Sequence, residues 1–404
     1  MKNVQTGYAE ALKVTLETIT LLGSESLPLA ECSGRILAKE LYSHVCSPST
    51  DASLKDGYAV RSNDIEKASP RNKIPLTLIG TAAAGLPAKS ALSGGDAIRI
   101  LTGARIPEGA DAVLSEEFAV PEGDRIFVFN TAEPGRNILP KGADIATGEL
   151  IGSRGSRLSP GMIGIFAAAG YDMLPVFRQP KLAIIATGDE LVAPGQPLPA
   201  GKLYASNLEM LKSWCRRYGM QTTFSILKDR PELITATIDA AISTHDAVLT
   251  SGGAWTGDRD FVARTLSALG WKKCFHWIRM GPGKPVGFGT LRDKPVFLLP
   301  GGPPSNLTAF LQIALPGLLK LGGHGNPSLP RAMVKLDSQL TCRQIDWTEF
   351  VYGALTDGDP HPLFTPLQMS SRLKAIALAE GVIAIEEGVE SLPAGAIVSA
   401  QLLE

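Results

Sequence analysis

No C-x-x-C pair and no ligand-spaced set of histidines occurs in this 404-residue chain. Its five cysteines, Cys32, Cys46, Cys215, Cys274 and Cys342, are scattered and odd in number, which argues against a thiolate zinc site and for a reducing compartment. Charge of one sign is missing too. The formal net charge is −1, so no global positive field advertises nucleic acid or an anionic membrane. The longest apolar stretch, "LTAFLQIALPGLLKL" at 307–321, falls short of the ~20 residues that a membrane span needs and contains Pro316. It is expected to be a core helix with a proline near its end. The opening "MKNVQTGYAEALKV" has no apolar segment of the kind a secretory signal requires, so a cytoplasmic location is expected. Internal repeats and low-complexity tracts are absent as well. What remains is an ordinary globular composition, 44% hydrophobic and 20% charged, on a chain too long for one core. A prior of ~150 residues per domain predicts two to four domains.

The texture of the chain divides it. Residues 6–42 read as helix, from the apolar spacing in "YAEALKVTLETITLL". From about 47, short runs such as "DGYAVR", "IPLTLIGTAAAG" and "DRIFVFN" are broken by Gly and Pro, the punctuation of an all-β insert. From about 180 to 322, strand-like runs alternate with helix-length segments, which predicts a doubly wound, largely parallel sheet. The tail returns to short strands. The expected fold class is therefore α/β plus β. The expected domains are 1–46 with 146–178 (helical/linker), 47–145 (β-rich insert), 179–326 (α/β) and 327–404 (small C-terminal β domain).

Three predicted strands of the α/β segment end in polar loops containing glycine: "IIATGDEL", "VLTSGGAWTGDRD" and "FLLPGGPPSN". In an open parallel sheet such loops converge beyond the carboxyl ends of the strands. Gly252, Gly253, Gly301 and Gly302 allow backbone N–H groups to approach an anion, and Ser305 opens a helix whose N-terminus favours phosphate. Acids beside such a nest repel phosphate unless a hard cation lies between them, and Mg²⁺ takes one or two carboxylates plus phosphate oxygens and water. Glu190, Asp229, Asp258 and Asp260 are candidates for a Mg²⁺–phosphate site, with Lys284 as a phosphate-binding cation. Plainer readings stand beside these. "TGDEL" suits a solvated turn, Asp258 a helix cap, and Asp229 an N-cap ahead of Pro231. Trp255 suits packing, and Lys284 a solvated loop.

Taken in order, "DGYAVR" (56–61), "RILTGARIPEGADAVLSEE" (99–117), "ATGDEL" (186–191), "TSGG…GDRDFV", "PGKP…FG", "LPGGPPS" and "QMSSRL" (368–373) resemble the molybdopterin molybdenumtransferases, the family of MoeA and the C-terminal region of gephyrin. Each piece is weak alone, but the ordered set is specific and spans essentially the whole chain. The resemblance implies an elongated four-domain subunit, a molybdopterin-binding type of α/β domain, and a homodimer whose cleft lies between subunits. It implies an enzyme that takes adenylylated molybdopterin, hydrolyses the adenylate with Mg²⁺ and inserts molybdate. A molybdenum-pterin adenylyltransferase and recipient molybdoenzymes would be its protein partners. Carried over to this sequence, the catalytic set is Asp56, Thr102, Asp144, Glu190, Asp229 and Asp260, with Glu190, Asp260 and Asp56 toward the metal. The cofactor-binding set is Gly252, Gly253, Asp258, Lys284, Pro300, Gly301, Ser305 and Ser371.

The departures from the family pattern fall on the same loops. "FDNSAMDGYA" appears as "TDASLKDGYA", with Ala52 for an amide and Lys55 for a methionine; "GGVSVGD" appears as "GGAWTGD", with the bulk of Trp255. "KPGKP" has become "GPGKP", so Gly281 has lost a cation, and "LPGNPVS" has become "LPGGPPS", losing an amide at Gly302. "GRxEFxR" reads "DWTEFVY" with both arginines gone, and "NIRxxGED" reads "NILPKGAD", with Leu139 and Ala143 replacing an arginine and an acid. The retained acids favour an active transferase with a modified pocket. The lost cations and amides favour a paralogue that binds or delivers molybdenum cofactor without the ligase step. A gephyrin-like scaffold role has no docking tail to support it.

Overall fold

The structure, a computed structural model, describes residues 6–253, 261–367 and 372–403. Its largest core belongs to the doubly wound sheet anticipated for 180–322. Gln221–Leu227, Lys181–Thr187, Ala247–Ser251 and Lys294–Leu299 run parallel in that spatial order. Gly287–Leu291 and Lys272–His276 extend one edge antiparallel. Parallel strands covered on both faces need apolar residues at every position, not at alternate ones. Ala247, Val248 and Leu249 are accordingly buried, as are Val296 to Leu299.

Leu182 and Ile184 face one core with Leu208, Leu211 and Cys215 of the Ser206–Arg217 helix. Ala183 and Ile185 face the other, with Ile234, Ile238 and Ile242 of the Pro231–Thr244 helix. The four-residue spacing of those isoleucines places them on one helical stripe. Each such side chain contributes about 1.5–3 kcal/mol by leaving water. Strand order then fixes the site. From Lys181–Thr187 the chain crosses to Gln221–Leu227 on one side, and next to Ala247–Ser251 on the other. The winding reverses between the first and third of these, and a crevice opens beyond their carboxyl ends.

The 307–321 stretch is buried at every position but Lys320, yet it is not one regular helix. Pro303–Ala309 and Leu315–Leu321 are α-helical, with a π turn over Phe310–Ala314 between them. In a regular helix the Pro316 ring would meet the carbonyl of Gln312. The wider turn just ahead relieves that conflict. Gln312 itself donates from Nε2 to Gln401 Oε1 at 2.6 Å and accepts from the Tyr8 hydroxyl at 3.2 Å.

Residues 47–145 contain strands and short 3₁₀ turns, built around a six-stranded sheet. Its order is Ala112–Ser115, Gly57–Val60, Asp96–Ile100, Ile74–Ala82, Arg125–Val128, Ala119–Glu122. The helix expected for 6–42 is confined to Tyr8–Thr18. Thr18, Ile19 and Thr20 form a β-branched run that disfavours helix, and Gly34 takes a left-handed φ of 78°. The chain beyond instead pairs across the insert: Ser24–Pro28 with Met173–Phe177, and Leu41–Tyr42 with Leu150–Gly152.

The tail folds as a closed ring of strands, Thr348–Thr356, Leu363–Pro366, Arg331–Leu336, Ile397–Leu402 and Gly381–Ile385, the last pairing back to the first. An Arg372–Ala377 helix that the sequence reading did not anticipate lies between two of them. Two strands from elsewhere join this ring. Ile278–Gly281 leaves the α/β segment to pair parallel with Thr348–Thr356, and Thr6–Gly7 edges it on the other side. All five cysteines are free, and no helix among the described residues is long and apolar enough to cross a membrane.

Candidate functional site

The three glycine loops do converge. Gly252 follows the Ala247–Ser251 strand with φ 97°, and a Cβ there would lie 2.6 Å from the Thr187 carbonyl oxygen. Only glycine lets these two strand ends close up. A Cβ on Gly301 would touch the Gly252 Cα at 3.8 Å. Two asparagines tie the loops together. Buried Asn306 donates to Ser251 Oγ at 3.0 Å and to the Pro300 carbonyl at 2.8 Å, and Asn207 donates to the Gly301 carbonyl at 2.7 Å. Around them, the buried atoms Thr187 Oγ1, Thr250 Oγ1, Asn207 Oδ1 and Asn306 Oδ1 have no hydrogen-bond partner among the described residues. Water or ligand normally satisfies such groups.

The helix after "LPGG" is a poorer anion cradle than its sequence implied. Pro303 and Pro304 occupy its first positions and carry no N–H. The Asn306 N–H is already given to the Gly302 carbonyl at 2.8 Å. Ser305 is left as the donor of that turn.

Acids stand at the neighbouring strand ends. Glu190 and Asp189 are exposed after Lys181–Thr187, and the Asp229 N–H approaches Asp189 Oδ1 at 3.4 Å. Asp229 is not the N-cap of the next helix. Arg230 holds that position, without a side-chain cap bond, and Pro231 follows. Among the described residues no three His, Cys, Asp or Glu side chains gather as a metal cluster. A pair of adjoining carboxylates is nevertheless the donor type Mg²⁺ uses when phosphate and water complete its shell. Asp258, Asp260, Trp255 and Ser371 lie outside the described residues.

Lys284 occupies an unexpected setting. Its ammonium lies 4.8 Å from the centroid of the Trp347 ring and 5.1 Å from that of Trp277. The first indole comes from the C-terminal domain, the second from the α/β segment, so the cation lies between the two domains. Beside it is a cavity of about 940 Å³ lined by Gly281, Pro282, Gly302, Pro304, Ser305, Arg343, Trp347, Phe350, Tyr352 and Leu367, among others. The Tyr352 hydroxyl shares a 2.8 Å hydrogen bond with Thr308, and burial holds that phenol protonated. Arg343 on the rim pairs with Glu349 at 3.5 Å. Gly281 and Glu349 are registered partners across the 278–281 and 348–356 strands. The sequence reading singled out Lys284 but missed Trp277, and registered Trp347 as a lost arginine only.

The insert carries a second group. Asp56 Oδ1 accepts from both the backbone N–H and the hydroxyl of Thr102, each at 2.7 Å. These two donors, and behind them the charge of Arg99, hold the carboxyl below its ordinary range. Asp144 lies on an exposed turn whose backbone N–H donates to the Ser47 carbonyl at 2.9 Å. The partners of both acids lie in or beside the insert, Thr102 for Asp56 and Ser47 for Asp144.

Glycine loops and acids at a switch point, in an α/β domain flanked by β domains, define a class of multidomain protein whose crevice is built to suit a small anionic ligand. Comparison with known proteins makes this specific. Residues 6–170 match the MoeA N-terminal region (domain I and II), 183–320 a probable molybdopterin binding domain, and 343–403 the MoeA C-terminal region (domain IV). The chain is 31% identical to the molybdopterin molybdenumtransferase of Haemophilus influenzae over 93% of each chain. With that of Nostoc sp. it shares 36% identity over 74% of its own length and 70% of the relative's. A crystal structure of a molybdopterin biosynthesis MoeA protein from Pyrococcus horikoshii superimposes with a TM-score of 0.82 at 33% identity, covering 99% of both chains. This chain belongs to the MoeA family of molybdopterin molybdenumtransferases.

Proposed function

We propose that this chain inserts molybdate into molybdopterin, taking the pterin as its adenylate and using Mg²⁺. Family membership over nearly the full length supports the transferase activity and its place in molybdenum cofactor biosynthesis. The finer reading rests on one observation: acids and bare glycine backbone meet at the switch point of the α/β sheet. There Gly252, Gly253 and Gly301 would let the anionic arm of the pterin approach main-chain N–H groups, while Ser305 supplies one further donor. Glu190 and Asp229, with Asp260, would hold Mg²⁺, which when bound neutralises phosphate charge and polarises the adenylate. Asp56, kept ionised by Thr102, and Asp144 would act from the insert.

A homodimer fits this division, since Asp56 is tied within the insert and the glycine loops within the α/β domain, as the two halves of a cleft between subunits would be. The Pro160–Ala168 helix, "PGMIGIFAA", has no charged residue, and only Phe166 among its residues is buried. An apolar helix left this bare is a surface that association would cover. The alternative, a paralogue that binds or delivers the cofactor, draws on Gly281, Trp347 and the two prolines at the helix start, all of which reduce the donors offered to an anion. Complementation of a transferase-deficient strain at limiting molybdate tests the proposal. Rescue of molybdoenzyme activity is expected. Failure of a stably expressed protein to rescue would favour the binding paralogue.

A further inference from the structure

We propose that Trp347 is a stacking platform for the planar ring of the ligand, and that Lys284 beneath it tunes the platform toward anionic rings. The inference rests on the reading that this chain handles a pterin, and names the wall of the site that the ring would meet. The cavity of about 940 Å³ suits a bicyclic ring with an acidic arm, since ligand sites of ~300–1,000 Å³ hold molecules of that size. Trp347 lines it and is half-buried. Lys284 is not among the lining residues, although its ammonium lies 4.8 Å from the Trp347 centroid. The cavity is bounded by the indole, with the lysine set against that indole and not on the cavity wall.

Gly281 leaves that surface open. Its absent Cβ would lie 3.8 Å from Trp347 Cε3, so any longer side chain there would compete for the space over the indole edge. The cation also matters. An ammonium against one face of an indole draws on the ring's negative quadrupole and leaves the opposite face less negative. A ring that carries a negatively charged arm then stacks with less repulsion than on a bare indole. Trp277, whose centroid is 5.1 Å from the same ammonium, gives the cation a second aromatic contact. Arg343, on the rim and 86% exposed at its side chain, is positioned for the acidic arm.

Binding is read with pterin-6-carboxylate as the anionic probe and 6-methylpterin as the neutral one, by calorimetry and by quenching of tryptophan emission, on the full-length protein. Wild type should bind the anionic probe more tightly than the neutral one. Trp347→Ala should weaken both by about tenfold, in line with ring stacking on aromatic side chains. Trp347→Phe should retain most of the affinity. Lys284→Met should reduce the preference for the anionic probe, with Arg343 left to hold the acidic arm, while keeping the neutral probe bound. Thermal melts accompany each variant. With a normal melt, Trp347→Ala binding like wild type overturns the proposal, as does Trp347→Phe failing as badly as alanine. Rescue of the transferase-deficient strain is a separate readout. Rescue without any effect of Trp347→Ala on probe binding sinks the platform and leaves the activity standing. Probe binding with the stated pattern but no rescue does the reverse.

Discussion

The Lys284 ammonium lies 4.8 Å from the centroid of the Trp347 ring, across a boundary between two domains. The pair are 63 residues apart in sequence (347 − 284), and each belongs to a loop that departs from or retains the family pattern for a different reason. The lysine is kept. In the family pattern that the sequence resembles, the position of the tryptophan reads as arginine, so an indole lies here beside the lysine. An anion approaching Lys284 competes with two aromatic faces, each worth ~0.5–2 kcal/mol to the ammonium.

Restoring a cation at position 281 should tighten anion binding. Gly281 has no left-handed φ, and a Cβ would make only ordinary contacts, 3.5 Å to Glu349 Cγ and 3.8 Å to Trp347 Cε3. The glycine is therefore not required by the backbone. Gly281→Lys is expected to melt like wild type and to bind molybdate about tenfold more tightly, a charge-assisted hydrogen bond being worth roughly 1.5–3 kcal/mol. Calorimetric titration with molybdate checks this, and unchanged affinity would remove position 281 from the anion site.

The Asp56–Thr102 pair gives a pH signature. The Asp56 carboxyl is held low chiefly by the Thr102 backbone N–H, then by its hydroxyl. A depressed carboxyl adds stability that is present above its unfolded value and is lost as pH falls through the folded one. Thr102→Val removes the hydroxyl and keeps the backbone donor. The carboxyl should then titrate at higher pH than in wild type, though still below an ordinary Asp. Carboxyl-carbon NMR across the acid range measures it; an unmoved midpoint would discount the hydroxyl.

Glu190→Gln tests the acids at the switch point. The side chain is exposed, so its charge can be removed with no core disturbed. The melting temperature should stay within experimental scatter. Mg²⁺-dependent release of AMP from the adenylate should fall by about 10²-fold or more, the size of effect seen when a group stabilising transition-state charge is deleted. Full turnover in the variant would leave Glu190 as a solvated turn residue.

Association is tested on the bare helix. Ile165 is 42% exposed on the charge-free Pro160–Ala168 segment. Ile165→Glu should convert a dimer to monomer by light scattering at micromolar concentration without lowering the melt of the monomeric fold. A wild-type monomer under the same conditions would remove the intersubunit cleft from the mechanism.

Much of the molecule was legible because local pattern and tertiary role agree. Continuous apolar runs such as Ala247–Leu249 are what central parallel strands require, and glycines after them mark where strand ends crowd together. Helical spacing misled where it met a β-branched stop at Thr18–Thr20 and a partner strand far along the chain, Pro28 facing Met173 and Ser24 facing Phe177. That long-range pairing leaves no local trace. The candidate site divides in the same way. Thr187, Gly252 and Gly301 could be placed by strand order alone. The neighbourhood of Gly281 and Trp347 could not, because it depends on a short strand, Ile278–Gly281, that joins the sheet of another domain.

That excursion makes the two domains share one sheet. Ile278–Gly281 is encoded between strands of one domain and hydrogen-bonded into the next, with Thr6–Gly7 on its far edge. A tail domain borrowed from a distant relative would arrive with its own Thr348-equivalent edge but without the matching inner segment. Recombination at the apparent boundary near 327 would therefore cut through a shared sheet. A change at 281 is therefore felt by the tail domain as directly as by its own, through Glu349, its registered partner, and the neighbouring Trp347.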